Sequence, residues 1–151
     1  VRRMADAGMK IGLGVDGSAS NDSGHMLNEA RQTMLLQRVE QGGDAMTARE
    51  ALALATRGGA SVLGRDDIGM LAPGYAADIA AFDRRGIDFA GSDWDPLASL
   101  LFCGPVKASH TIVNGQSVVE DGQLVTMAMD RMLERHAAMT QHLMQASGHI
   151  G

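Results

Sequence analysis

The period of apolar and polar positions changes several times along the chain, and each change marks an element. Val1, Met4 and Ala5 share one helical face against Arg2, Arg3 and Asp6, so residues 1–8 read as the end of a helix stopped by Gly8. Ile11, Leu13 and Val15 then alternate with glycines, the pattern of a buried strand closely approached by other backbone. That strand ends on Asp16, and Gly17-Ser18-Ala19-Ser20-Asn21-Asp22 is turn chemistry that cannot extend it. Leu27, Ala30, Met34 and Leu35 recur at helical spacing, which predicts a helix over 26–41, closed by Gly42-Gly43. Thr47 with Glu50 three residues later is a capping box, opening a helix with Ala51, Leu52, Ala55 and Thr56 inward. Gly58-Gly59 are expected to end it, and a further short turn over 60–63 closes on Gly64.

Beyond Gly64 the composition shifts. Pro73-Gly74 marks a turn, and residues 76–83 form an expected strand. Residues 93–96 form a loop leading into a short helix over 97–102. Asn114-Gly115, between residues 110–113 and 116–120, is a hairpin signal, and Asp121-Gly122 is a second, leading to a strand over 123–126. A closing helix over about 128–146 carries Met129, Met132, Leu133, His136, Met139, Leu143 and Met144 along one face. The order is α-β-α-α, then strands in hairpins, then a helix. The strand at 11–15 has no sheet partner in its own region. Its neighbours must come from the later strands or from chain lying outside this sequence. Opening on Val1 inside a helix, the chain is expected to be a piece of something longer.

Composition narrows the function classes. A chain of 151 residues can bury one sizeable core. With 13 basic and 18 acidic side chains it has a net charge of −5 and no footprint for nucleic acid or for a polybasic membrane contact. No apolar run approaches the ~18 residues of a membrane span, and no secretory leader is evident. The single cysteine, Cys103, excludes an internal disulfide and fits a cytoplasmic setting.

Asp16 is the residue on which function turns. A carboxylate at the carboxyl end of a strand sits where parallel α/β folds place their chemistry. It can be a metal ligand, a proton carrier or a cap on the amides of Gly17-Ser18, and spacing alone favours the cap. Zinc needs about three protein ligands and an open position. His25 lies nine residues on, and could reach the same rim, whereas His110, His136, His142 and His149 lie far along the chain. Any other ligands to a metal at Asp16 are outside this sequence. Gly12, Gly14 and Gly17 also spell a dinucleotide fingerprint, but the glycines fall within the strand and no helix follows at once. Ser18 or Ser20 with His25 as a nucleophile pair lacks an orienting acid. Cys103 reads as core, and the methionine stripe of the last helix as packing.

The run Val15-Asp16-Gly17-Ser18-Ala19-Ser20-Asn21, with Gly12 and Gly14 before it, resembles the eighth-strand motif of the amidohydrolase superfamily. It is most similar to the deaminase branch acting on ring amidines, the 8-oxoguanine and guanine deaminases and the triazine hydrolases. Glu29-Ala30-Arg31-Gln32 with Met34-Leu35-Leu36-Gln37 resembles that branch's eighth helix, and residues 51–64 resemble the segment after it. Ile68-Gly69 through Asp78-Ile79 resembles its return to a small β-domain, and Val113-Asn114-Gly115 with Val119-Glu120-Asp121-Gly122 resembles its last hairpin. The resemblance implies an α/β fold: the C-terminal portion of a (β/α)8 metal-dependent hydrolase barrel plus part of its small β-sandwich domain. It divides the chain into the end of the barrel (1–64), part of the β-domain with a short inserted helix (65–126) and a C-terminal helix (127–151). It implies Asp16 as metal ligand and proton acceptor, with Ser20 and Asn21 shaping a loop beside the substrate. It further implies one Zn(2+) per site, a small heterocyclic substrate, a missing N-terminal portion carrying the paired and single histidines, and a homo-oligomer. By this reading the chain alone is inactive. The rival is a non-catalytic α+β interaction module in which Asp16 is only a loop cap.

Overall fold

A computed structural model describes residues 1–21, 23–104 and 106–148; His149 lies outside them. Helix α1 (Arg2–Asp6) ends in a turn in which Gly8 takes φ 73°. The Gly8 amide donates to the Ala5 carbonyl and the Met9 amide to Met4, the paired bonds that close a helix through a left-handed residue. The Arg2 amide donates to Gln37 Oε1 at 2.8 Å, tying α1 to α2 (Met26–Gln41). The bounds of α2 are those its periodicity predicts, with Ala30 and Met34 fully buried and Gly42 at φ 104° beyond its end. Helix α3 (Ala48–Ala53) opens on the expected capping box: the Thr47 side chain accepts from the Glu50 amide, and the Thr47 amide donates to Glu50 Oε2 at 2.7 Å.

Two expectations fail between residues 11 and 63, for one shared reason. Gly58-Gly59 do not end a helix. Helix α3 runs through a π turn (Leu54–Gly58) into α4 (Gly59–Leu63), with both glycines in right-handed helical geometry, and stops only at Gly64 (φ 69°). Residues 11–15 carry no strand, and the later strands pair only with one another among the described residues. The glycines of the two segments instead meet backbone to backbone. A Cβ at Gly58 would stand 2.3 Å from the Ile11 carbonyl oxygen, and one at Gly12 would stand 2.9 Å from the Gly59 Cα. The Leu13 amide donates to the Leu54 carbonyl in the π turn at 3.4 Å. The glycines therefore serve close approach, not termination.

The core lies among α2, α3 and α5 (Pro96–Phe102), where Ala30, Met34, Met46, Ala48, Ala51 and Leu101 are buried and Leu13, Leu27, Leu52 and Leu54 pack against them. Asp95 caps α5 by accepting from the Ala98 amide and pairs with Arg49 at 3.3 Å, while Arg31 donates to the Leu101 and Phe102 carbonyls at the other end. The expected strand over 76–83 contracts to β1 (Ile79–Phe82). It opens a four-stranded antiparallel sheet in the order β1, β2 (Ala108–Val113), β3 (Gln116–Glu120), β4 (Gln123–Leu124). Both hairpin signals hold, because Asn114, Gly115, Asp121 and Gly122 all take positive φ (48°, 77°, 48° and 75°), as two-residue turns of this type require. Asp78 fixes the first turn by accepting from the Asn114 amide at 2.7 Å. The last strand is shorter than the expected 123–126. Arg84 joins the sheet to the helical part, donating to Ser99 Oγ and the Ser92 carbonyl and lying over the Phe89 ring. Helix α6 (Met129–Ala146) forms as expected but buries none of its residues.

The contact at Gly58 gives a prediction of opposite signs. Alanine favours a helix interior over glycine by about 0.5–1 kcal/mol, but overpacking costs about 1–3 kcal/mol, and neither backbone can rotate away. Gly58→Ala should destabilise the protein in a urea titration. Gly59→Ala, whose methyl meets nothing within 4 Å, should leave stability unchanged or raise it. A second expectation concerns pH. Arg85 donates through its side chain to both Asp83 oxygens, and through its amide to one, holding that carboxyl at about 2. A depressed carboxyl contributes stability above its ordinary value near 3.8 and loses it as pH falls through about 2. An NMR titration of the Asp83 carboxyl carbon checks this.

Candidate active-site loop

Asp16 follows the segment held against α3 and α4. It takes φ 61°, a left-handed conformation that aspartate tolerates better than most residues but that still costs on the order of 1–2 kcal/mol. Its side chain is exposed, and Oδ1 accepts from the Gly17 amide at 2.7 Å. No hydrogen bond reaches Oδ2 among the described residues. The carboxylate is thus oriented by its own backbone through one oxygen, with the other open to a proton or a cation.

The loop after it is closed by backbone and by one side chain. The Gly17 carbonyl accepts from the Ser20 and Asn21 amides at 2.9 and 3.0 Å. Asn21 uses both ends of its amide. Its Nδ2 donates to the Val15 carbonyl at 2.8 Å and to Glu29 Oε1 at 2.7 Å, and its Oδ1 accepts from the Ser23 amide at 3.1 Å. Asn21 therefore joins the peptide immediately before Asp16 to the first turn of α2. Glu29 is suited to that turn, where a carboxylate complements the helix dipole. Ser20 contributes its backbone amide. Sequence reasoning placed Ser20 and Asn21 in the loop but missed Glu29 as a partner. The signal that could have found it is an acid one turn into a helix that directly follows the loop.

The remaining candidates do not converge on Asp16. His25 is the residue before α2, half-buried, and its carbonyl accepts from the Asn28 and Glu29 amides while its ring makes no cap. His110 lies on β2 with Nε2 3.7 Å from Asp121 Oδ1. His136 and His142 ride on α6. Cys103 is half-buried at the end of α5. Among the described residues no three His, Cys, Asp or Glu side chains gather as a metal would require. The dinucleotide reading fails on geometry, since α2 starts only at Met26 and Gly12 is committed to Gly59. Two shallow depressions, of about 560 and 460 Å³, lie at the sheet edge by Asp83, Lys107 and His110 and beside α4 by Arg57, Arg65 and Tyr75. No helix among the described residues is long and apolar enough to cross a membrane.

Known proteins share much of this sequence and fold. The chain is 47% identical over 137 residues to 8-oxoguanine deaminase of Pseudomonas aeruginosa, covering 91% of this chain and 30% of that protein. It is 40% identical over 126 residues to hydroxydechloroatrazine ethylaminohydrolase of Pseudomonas sp. strain ADP, covering 80% of this chain and 26% of that protein. Among solved structures, atrazine chlorohydrolase from Arthrobacter aurescens TC1 complexed with zinc superposes with a TM-score of 0.84 at 40% identity, over 91% of this chain and 31% of that one. The chain thus spans about 30% of the length of the relatives it matches. Residues 1–118 match the Amidohydrolase family, and with an α/β fold shared with its solved structures the chain belongs to that family.

Proposed function

We propose that this chain is the C-terminal part of a metal-dependent hydrolase that deaminates a purine- or triazine-like cyclic amidine, with an 8-oxoguanine-like substrate favoured. On this reading residues 1–64 end the catalytic (β/α)8 barrel, 65–126 belong to the small β-domain and 127–151 form a terminal helix. The missing N-terminal portion supplies the histidine ligands, so the 151 residues alone are inactive. Exposed apolar side chains support this. Leu36 and Val39 on α2, and Val62 and Leu63 on α4, stand 56%, 86%, 56% and 70% exposed, and suit contact with the rest of a barrel. A cytoplasmic homo-oligomer completes the reading.

The observation that carries it is Asp16, held in a left-handed conformation with one oxygen fixed and the other open. Strained residues of this kind cluster at active sites. The carboxylate fits a divalent cation as one oxygen ligand, though not as a complete set. When bound, zinc, as in the triazine hydrolase relative, supplies a Lewis acid that lowers the pKa of water toward ~7. Asp16 accepts a proton from the attacking water as the oxygen–carbon bond forms at the amidine carbon and the carbon–nitrogen π pair moves to the ring nitrogen. It returns that proton to the departing exocyclic nitrogen as that carbon–nitrogen bond breaks and ammonia leaves, while the hydroxyl oxygen becomes the carbonyl and its proton passes to the ring nitrogen. The bond from the Gly17 amide keeps Asp16 aimed through both transfers. Ser20 and Asn21 shape the wall of the substrate loop and carry no proton.

One observation favours a rival, a non-catalytic α+β module: the same Asp16 oxygen caps its own loop. A single substitution in the full-length enzyme separates the two. Asp16→Asn keeps an acceptor oxygen for the Gly17 amide but gives up the anionic proton acceptor, so turnover should fall by several orders of magnitude, roughly 10²–10⁴-fold for the proton transfers alone, with the melting temperature little changed. Turnover equal to the parent would overturn the assignment and leave the module.

A further inference from the structure

We infer that Asn21 and Glu29 are positioning residues that hold the Asp16 backbone in its working conformation; this rests on the active-site reading of Asp16. The carbonyl of Val15 belongs to the peptide that leads into Asp16, and it accepts from Asn21 Nδ2 at 2.8 Å. The other hydrogen of the same Nδ2 goes to Glu29 Oε1 at 2.7 Å, so the side-chain amide spans from the loop to α2. Asn21 Oδ1 takes the Ser23 amide, which leaves each end of the amide with a partner. Val15, Asn21, Ser23 and Glu29 are all half-buried, which limits competition from water.

The chemistry of the pair is specific. An amide donates two hydrogens from one nitrogen to two acceptors and accepts at its oxygen. Aspartate at position 21 would turn an oxygen toward the Val15 carbonyl and toward the Glu29 carboxylate, replacing two attractions by two repulsions. Glu29 serves as an acceptor and needs no charge for that, so glutamine can replace it and alanine cannot. Neither residue reaches the amidine carbon in this account. Their effect is on where the Asp16 oxygens stand, and a displacement of about 1 Å at a reacting group can cost on the order of 100-fold in rate.

The test uses the full-length enzyme with its metal and compares kcat, KM and melting temperature across five variants. Asn21→Asp and Glu29→Ala should each lower kcat about 100-fold, with KM much less affected. Glu29→Gln should restore kcat to near the parental value. Thr47→Ala, which removes the capping-box oxygen away from the loop, serves as a stability control and should lower the melting temperature while kcat stays parental. Asp16→Asn sits beside them as the reference for a lost proton acceptor. Parental kcat in Asn21→Asp and Glu29→Ala, with Asp16→Asn inactive, would overturn the positioning role and leave the active-site reading intact. Glu29→Gln falling as far as Glu29→Ala would also overturn it, since charge and not acceptance would then matter. An active Asp16→Asn would overturn both.

Discussion

The position of everything near Asp16 depends on two backbones touching without side chains between them. Gly12 faces Gly59, Gly58 faces the Ile11 carbonyl, and the Leu13 amide reaches the Leu54 carbonyl. Packing of this kind tolerates almost no adjustment, because a methyl group at Gly12 or at Gly58 has only main chain to push against. It fixes the height and angle at which residues 11–13 pass across the α3–α4 segment, and therefore where the chain turns at Asp16. From there the loop needs only local closure. The Gly17 carbonyl and the Asn21 amide provide it, and α2 receives the far end.

Much of the architecture was legible in the sequence where a local rule acts alone. Residues 26–41 show one helical period bounded by glycines, and α2 has those bounds. Thr47 and Glu50 announce a cap by spacing, and Asn114-Gly115 and Asp121-Gly122 announce turns by their tolerance of positive φ. What was not legible depends on a distant partner. Gly58-Gly59 read as a stop because glycine weakens helices, yet tertiary contact with residues 11–12 determines their role. The run Ile11–Leu13–Val15 has strand composition, but a strand is a pairing and its pairing partners are not among the described residues. Helix α6 forms from its own periodicity, while nothing in its sequence states what its methionine face covers.

The same division holds at the site. Asp16, Ser20 and Asn21 could be singled out because an apolar run ended abruptly on a carboxylate and small polar residues followed. Glu29 could not, since an acid in the first turn of a helix is usually explained by the dipole. Both explanations are satisfied here, with one side chain serving the helix and the loop together. Asp16 likewise fits two descriptions that are compatible: a carboxylate whose one oxygen caps a turn still has a second oxygen for chemistry.

The π turn between α3 and α4 carries a consequence for how this segment can vary. It accommodates one residue more than a regular α-helix would over the same rise. Each residue of an α-helix advances the side-chain direction by about 100°; the wider turn absorbs its extra residue locally, so losing a single position from Leu54–Gly58 would give a regular helix without turning the residues beyond it to a new azimuth. What would change is the turn itself, whose Leu54 carbonyl receives the Leu13 amide. Length changes within these five residues therefore act on the seat of residues 11–13 rather than on the helix face that follows.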